Sequence, residues 1–285
     1  MHNHITGIDH AVVAVRDLET AAETFRRLGF AVTPRGGHPE WGTANHCLMF
    51  ERTYVELLAA TGEGDMARRV SAWIEGNGEG LMAMAWGTDD GAAAAQALRQ
   101  AGIGAETPRA LSRKLWAPEG ELTPLFTVVA LPPGATPGIT SFLCQHLTPD
   151  LLRRPEWLAH ENGAVGIDSV TAVVDDPDQA MWGYGQVFGP GAATPTDNTV
   201  AVHTGNGMIL VCRPDDLTQL HPEADLEPEP QAPAMVAMTI TVADTDRAAA
   251  ALAAHGVPHH RDAEGTVRVA PAQACGVFLE FMAPR

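Results

Sequence analysis

Two short apolar segments each carry one group that could do chemistry. An imidazole interrupts the run Ile8-Asp9-His10-Ala11-Val12, and a carboxylate interrupts Tyr54-Val55-Glu56-Leu57-Leu58. A carboxylate inside such a run costs several kcal/mol unless it is paired, metal-bound or left in water at a sheet edge. A histidine there is either a hydrogen-bonded core residue or a ligand. Glu280, in Phe278-Leu279-Glu280-Phe281-Met282, raises the same question; with no histidine partner in its module it reads as polar lining of a pocket. Trp41, Thr43 and Asn45 occupy a turn and the strand after it, where they either contact a substrate or stabilise the turn. Arg109, Arg113, Lys114 and Trp116 form a basic and aromatic cluster. Its arginines could hold a carboxylate or phosphate, or belong to an exposed loop.

The elements that must position these groups recur four times. Apolar runs at 7–15, 80–88, 166–174 and 235–242 are each followed by an acidic or helix-starting residue and an Ala-rich amphipathic stretch. His10 aligns with Ala83, Ser169 and Ala237, so one copy alone carries a ligand-capable side chain at that place. In the first copy a buried strand over 8–15 leads to Asp17, a capping residue for a helix over 18–28 that Gly29 stops, and strands follow near 30–33, 44–50 and 53–59. The module is β-α-β-β-β. The second predicts a strand at 81–86, a helix at 90–101 and strands near 104–107, 125–131 and 139–145, with its longest insertion around Arg113. The third has a strand at 167–174, a helix over 177–188 and strands near 199–203 and 208–212; the fourth has a helix over 245–255 and strands at 266–270 and 277–281.

Each module leaves one sheet face bare, so modules must pair and curl into a cup. The expected fold is α+β, with four modules paired into two curved eight-stranded cups. Boundaries fall at 1–147 for modules one and two, 148–163 for a connector helix opened by Thr148-Pro149-Asp150, and 164–285 for modules three and four. Pairing as one with two and three with four, or as one with four and two with three, stays open. Strand alternation puts His10, Val12 and Ala14 on the cup face, with Tyr54, Glu56 and Leu58, with Phe142, Cys144 and His146, and with Phe278, Glu280 and Met282.

Composition narrows the class of function. The 285 residues are 45% hydrophobic, as in a globular protein, with apolar runs too short to cross a membrane and no signal-like start in Met1-His2-Asn3-His4. A net charge of -17 argues against nucleic acid or an anionic membrane as partner. Six of the 35 acidic residues lie in a Pro-rich linker, 214–233. Cys47, Cys144, Cys212 and Cys275 are scattered singly, which fits reduced thiols in the cytoplasm. No nucleophile elbow, phosphate loop or dinucleotide fingerprint is present.

The first-strand histidine and last-strand glutamate within a β-α-β-β-β module resemble the vicinal oxygen chelate superfamily, the glyoxalase, bleomycin-resistance and dihydroxybiphenyl dioxygenase fold. The stretches His38-Pro39-Glu40-Trp41-Gly42-Thr43-Ala44-Asn45 and Cys144-Gln145-His146-Leu147-Thr148-Pro149 are similar to its bacterial glyoxalase-like domain proteins. The resemblance implies a divalent metal (Fe, Mn, Ni or Zn) with open positions for two neighbouring substrate oxygens. It implies His10 and Glu56 as ligands and His146 as a third, because module two has Ala83 and Cys144 at the aligned positions. Trp41, Thr43, Asn45, Tyr54, Arg113, Cys144 and Glu280 would line the pocket. The activity implied is that of a lyase, isomerase or dioxygenase on a small molecule, with a homodimer as one assembly it allows. The alternative is a metal-free binding or sequestration protein of the bleomycin-resistance type.

Overall fold

The computed structural model describes residues 4–222 and 230–284. Two parts of the sequence reading, the polar start at 1–3 and the acidic run 225–229, lie outside them. The four modules form as expected, except that the strand placed near 30–33 falls at Gly36–His38, inside the stretch read as a turn. In the first, strand Ile5–Ala14 leads to helix Leu18–Arg27, then to strands Gly36–His38, Thr43–Met49 and Tyr54–Ala60. Asp17 accepts a hydrogen bond from the Thr20 amide at 2.7 Å, which satisfies one of the free donors of the first turn. Leu18, Ala21 and Phe25 recur on the face turned to the sheet, where they pack with Ala11, Val13 and Val15.

The opening strands of modules one and two pair antiparallel, as do those of modules three and four. Pairing is therefore one with two and three with four. The second sheet has eight strands, but the first has ten, two more than expected. Its extra strands come from the insertion around Arg113. Strand Arg109–Ser112 pairs with Leu125–Ala130 at one rim of the sheet, whereas Lys114–Ala117 pairs with Gly36–His38 near the other and carries the hairpin strand Gly120–Leu122. A chain can pass between the two rims in one residue only if they meet, so the first sheet curls almost to closure with Arg113 at the seam. Arg109, Lys114 and Trp116 are exposed, as an exposed loop requires, but Arg113 between them is buried at the junction.

Both ends of this near-barrel are plugged. Helix Asp65–Asn77, which has no counterpart in the sequence reading, lays Val70 and Ile74 on Val12, Ala14, Leu58 and Ala83. At the other end Leu152 and Trp157 pack against Cys47, Met49, Tyr54, Phe126 and Cys144. They come from the connector, which is not one helix but a turn at Pro149–Leu151 and a single helical turn at Pro155–Leu158. Pro155 explains the break, because it disfavours helical backbone in the residue before it. The strand expected at 104–107 is irregular, and the linker contains a short helix, Leu217–Leu220, that carries His221 into the second cup. Among the described residues no helix is long and apolar enough to cross a membrane.

Candidate functional site

The parallel register between strands Ile5–Ala14 and Tyr54–Ala60 sets Val12 beside Glu56 and His10 beside Tyr54. His10 Nε2 then stands 3.7 Å from Glu56 Oε2. Its ring is stacked on Tyr54 at 4.2 Å and meets Phe142 edge-on at 5.5 Å. The pairing with the second module slips by one residue between Ile8 and His10, and such an irregularity re-aims side chains. The Asp9 carboxylate, expected on the opposite face, joins the site with Oδ1 2.6 Å from His10 Nδ1. On the far side Asn45 donates from Nδ2 to Glu56 Oε1 at 2.5 Å.

Burial by itself would raise the Asp9 carboxyl, but hydrogen bonds from His10 and His146 outweigh it and hold the group well below the usual carboxylate range. An ionised Asp9 only accepts hydrogen bonds, so His10 donates to it from Nδ1 and presents Nε2 to Glu56.

His146 reaches the same corner through Asp9, with Nε2 3.1 Å from Oδ1, while its buried Nδ1 has no partner among the described residues. Cys144 completes a group of three: one donor atom each from Asp9, Cys144 and His146 all lie within 4.8 Å of one another. Burial, then the Asp9 charge, pushes the Cys144 thiol well up, so it is protonated. The register also corrects one alignment. Val12, two residues after His10, faces Glu56, and Ala85, two after Ala83, faces Phe142. Phe142, not Cys144, therefore holds the place of Glu56 in module two. A cleft of about 440 Å³ opens onto this corner, lined by Asp9, Cys144 and His146 of the first half, Arg153 of the connector and Gly205 and Asn206 of the second half.

Deeper in the barrel, Arg113 is 2% exposed and donates from Nη1 to Cys47 Sγ at 3.0 Å. Burial pushes the Cys47 thiol up to about 11, so this partner is neutral. His38 is also buried, with its ring 5.1 Å from that of Trp41 and Nδ1 3.4 Å from Thr43 Oγ1. Desolvation lowers its pKa against the pull of Glu56, helped by Arg113 and His10, so it is neutral at neutral pH. Trp41 and Thr43 thus hold His38, which the sequence alone did not single out.

Glu280 lies apart, in the second sheet. Its Oε2 accepts from His221 Nδ1 at 2.9 Å and from Thr239 Oγ1 at 3.1 Å, and its Oε1 from Arg268 Nε at 2.8 Å. Of the residues expected to act, His10, Glu56, Asn45 and Tyr54 come together directly, and His146 and Cys144 join them through Asp9. The residues missed are Asp9, His38, His221 and Arg268. Asp9 did leave a signal, an acidic residue beside a histidine in an apolar strand, but strict alternation turned it away from the cup.

Comparison with known proteins bears on the whole chain. The family model described as Glyoxalase-like domain matches residues 8–188. That of the Glyoxalase/Bleomycin resistance protein/Dioxygenase superfamily matches residues 166–269. No curated protein matches significantly. Among solved structures, a hypothetical protein from Staphylococcus aureus is 11% identical with a TM-score of 0.67, covering 97% of this chain and 99% of its own. A triple mutant of 4-hydroxymandelate synthase from Streptomyces coelicolor is 14% identical with a TM-score of 0.62, covering 97% of this chain and 92% of its own. At these identities the likeness is one of fold.

Proposed function

Because the chain belongs to the glyoxalase-like domain family, we propose that it is a metal-dependent enzyme of the vicinal oxygen chelate type, with His10 and Glu56 as metal ligands. The observation that carries this is the facing of His10 Nε2 and Glu56 Oε2 across 3.7 Å in a buried site. Donor atoms that share one ion at about 2.1 Å stand roughly 3.3 Å apart, so the pair needs little movement to fit. Asp9 behind His10 is the outer carboxylate that orients ligating histidines and raises their basicity. As a third ligand His146 would have to turn from Asp9, which now ties its Nε2 at 3.1 Å to the Nδ1 side of His10, toward the Nε2 side that faces Glu56.

A divalent ion of the Fe, Mn, Ni or Zn class supplies Lewis acidity toward two adjacent oxygens of a small molecule, the requirement that lyase, isomerase and dioxygenase chemistries share. The chain's own residues prepare for it. Asp9 fixes the His10 tautomer, and Asn45 fixes Glu56. Tyr54 and Phe142 wall the imidazole and keep water from it. Elemental analysis of protein purified without chelators, beside a His10→Ala variant, tests the proposal. Metal in the wild type and its loss in the variant are expected; absence from the wild type, or equal content in both, discards it.

Ala83 and Phe142 favour a second reading, a metal-free binding protein, since they erase the other half of a symmetric site. It predicts that ligands raise the melting temperature equally with and without EDTA.

A further inference from the structure

One wall of the cleft between the two halves brings together a carboxylate, a thiol and an imidazole. Strand Ser141–His146 lies next to strand Gly80–Thr88, which lies next to Ile5–Ala14, and the register sets Cys144 beside Gly87 and Gly87 beside Gly7. Gly87 puts no side chain between its neighbours. The slip in pairing after Ile8 lets Asp9 join them, and His146 follows Cys144 by two residues on the same strand face. One donor atom each from Asp9, Cys144 and His146 lie within 4.8 Å of one another, and all three residues line the cleft of about 440 Å³. Donors that share an ion at about 2.1–2.3 Å stand roughly 3.3–3.7 Å apart, so the three can close on one ion by side-chain movement alone.

His146 is the least committed of them. Its side chain is only 10% exposed, yet its one polar partner among the described residues is Asp9, 3.1 Å from Nε2, and Nδ1 has none. Tyr54 and Phe126 meet the ring edge-on at 5.9 and 5.0 Å and hold it at the wall. Asp9 has capacity for two tasks, because each carboxylate oxygen has two lone pairs and can hold the N–H of His10 beside an ion. The cation of this wall does not compete for it, since the Arg153 guanidinium is spent on the carbonyls of Phe50, Glu51 and Arg52.

We infer that Asp9, Cys144 and His146 form a second metal site, for a divalent cation of the zinc class, with a coordination position open to the cleft. It takes His146 in the orientation the structure gives it and needs neither His10 Nε2 nor Glu56, so it goes beyond the function proposed above. The donor set selects the ion: sulfur with imidazole suits borderline-soft cations, whereas magnesium and calcium take oxygen ligands. On binding, the Cys144 thiol releases its proton to water in the cleft and its sulfur takes up the bond to the ion. Three protein ligands and one exchangeable position make up the zinc sites that act on a ligand, while those that brace a fold are closed by four.

Cobalt(II) titration of reduced, chelator-treated protein tests this, because a thiolate on cobalt gives an intense near-ultraviolet charge-transfer band. The wild type should show the band, and zinc should bleach it while magnesium should not. Cys144→Ser should remove the band, and His146→Gln should weaken cobalt by about a hundredfold or more, since losing even an outer-shell partner costs about 10–100-fold. Circular dichroism checks both folds; if Cys144→Ser does not fold, His146→Gln decides. Glu56→Gln should keep the band, which separates this site from the His10–Glu56 pair: an ion missing from that pair with the band intact would remove the catalytic reading alone. No band in the wild type, as a purely hydrogen-bonded cluster would give, a band that survives Cys144→Ser, unchanged affinity in His146→Gln, loss of the band in Glu56→Gln, or displacement by magnesium would each overturn the assignment.

Discussion

Two glutamates, one in each half of the molecule, hold the same place in their modules, and they are treated in opposite ways. Glu56 faces Val12 and Glu280 faces Thr239, each on a closing strand beside the opening strand of its own module. Glu280 is saturated by three donors, one of them the Arg268 guanidinium, and that arginine also pairs with Asp262 at 2.7 Å. Burial would raise the Glu280 carboxyl, but His221 and then Arg268 bring it down. Glu56 has one amide donor and an imidazole nitrogen at 3.7 Å, while the nearby cation, Arg113, spends itself on a thiol. The second cup has closed its site with an internal ion pair. The first keeps acceptor and donor apart, as a site that receives something from outside must.

The largest effect should therefore come from cutting the saturated network. Glu280→Ala takes the buried acceptor from Arg268 Nε and His221 Nδ1, though Arg268 keeps Asp262, and should cost about 3 kcal/mol, the low end of the range for breaking a buried pair. Glu56→Ala removes one hydrogen bond in the metal-free protein and should cost about 1 kcal/mol, while abolishing metal retention. Urea unfolding of both variants after chelation reads the difference. Equal losses would mean that the two cups are not divided between stability and chemistry.

This division was only half legible in the sequence. The fourfold repeat gave the modules, and Asp17, Gly29 and the β-branched runs gave element ends that hold closely, as at helix Pro177–Phe188. His10 and Glu56 were legible because charged groups in apolar strands need a reason. What could not be read depends on long-range closure or on local slips in register. Arg113 looks like any loop arginine until two rims meet across it. Asp9 escapes strict alternation through an irregular pairing, and His221 comes from a Pro-rich segment that carries no periodic signal. Phe142 took the Glu56 position because strand register is set by pairing, and counting residues along the chain misplaced it by two.

A smaller effect sharpens the contrast inside the first cup. Asp9→Asn keeps the shape but offers His10 Nδ1 either an oxygen or an amide nitrogen, so the imidazole tautomer is no longer fixed. Removing an outer-shell partner of this kind costs about 10–100-fold in metal affinity. Competition with a chelating dye would measure it. The same titration on Glu280→Gln should show no change, because that carboxylate serves the other cup. A loss of metal affinity there equal to that of Asp9→Asn would join the two halves into one functional unit.

The smallest effect is one of pH, and it separates the cups by window. Glu280 has its carboxyl held below the ordinary value, so its stabilisation is complete above about pH 4.3 and is lost as acid titrates it below that. His38 is lowered instead by desolvation, with Arg113 and His10 adding to it and Glu56 opposing. As pH falls through about 6.5 the unfolded chain takes up a proton that the buried ring resists, so stability falls already in that range. A shift of one unit corresponds to about 1.4 kcal/mol, which bounds the slope expected from a single ring. Unfolding measured at pH 7.5 and 5.5 should show a loss in the wild type that His38→Gln reduces, and Glu280→Gln should leave that loss intact while removing part of the further loss near pH 4. If His38→Gln left the loss between pH 7.5 and 5.5 unchanged, the acid response would belong to other histidines and the interior of the first cup would not be the part of the molecule that resists charging.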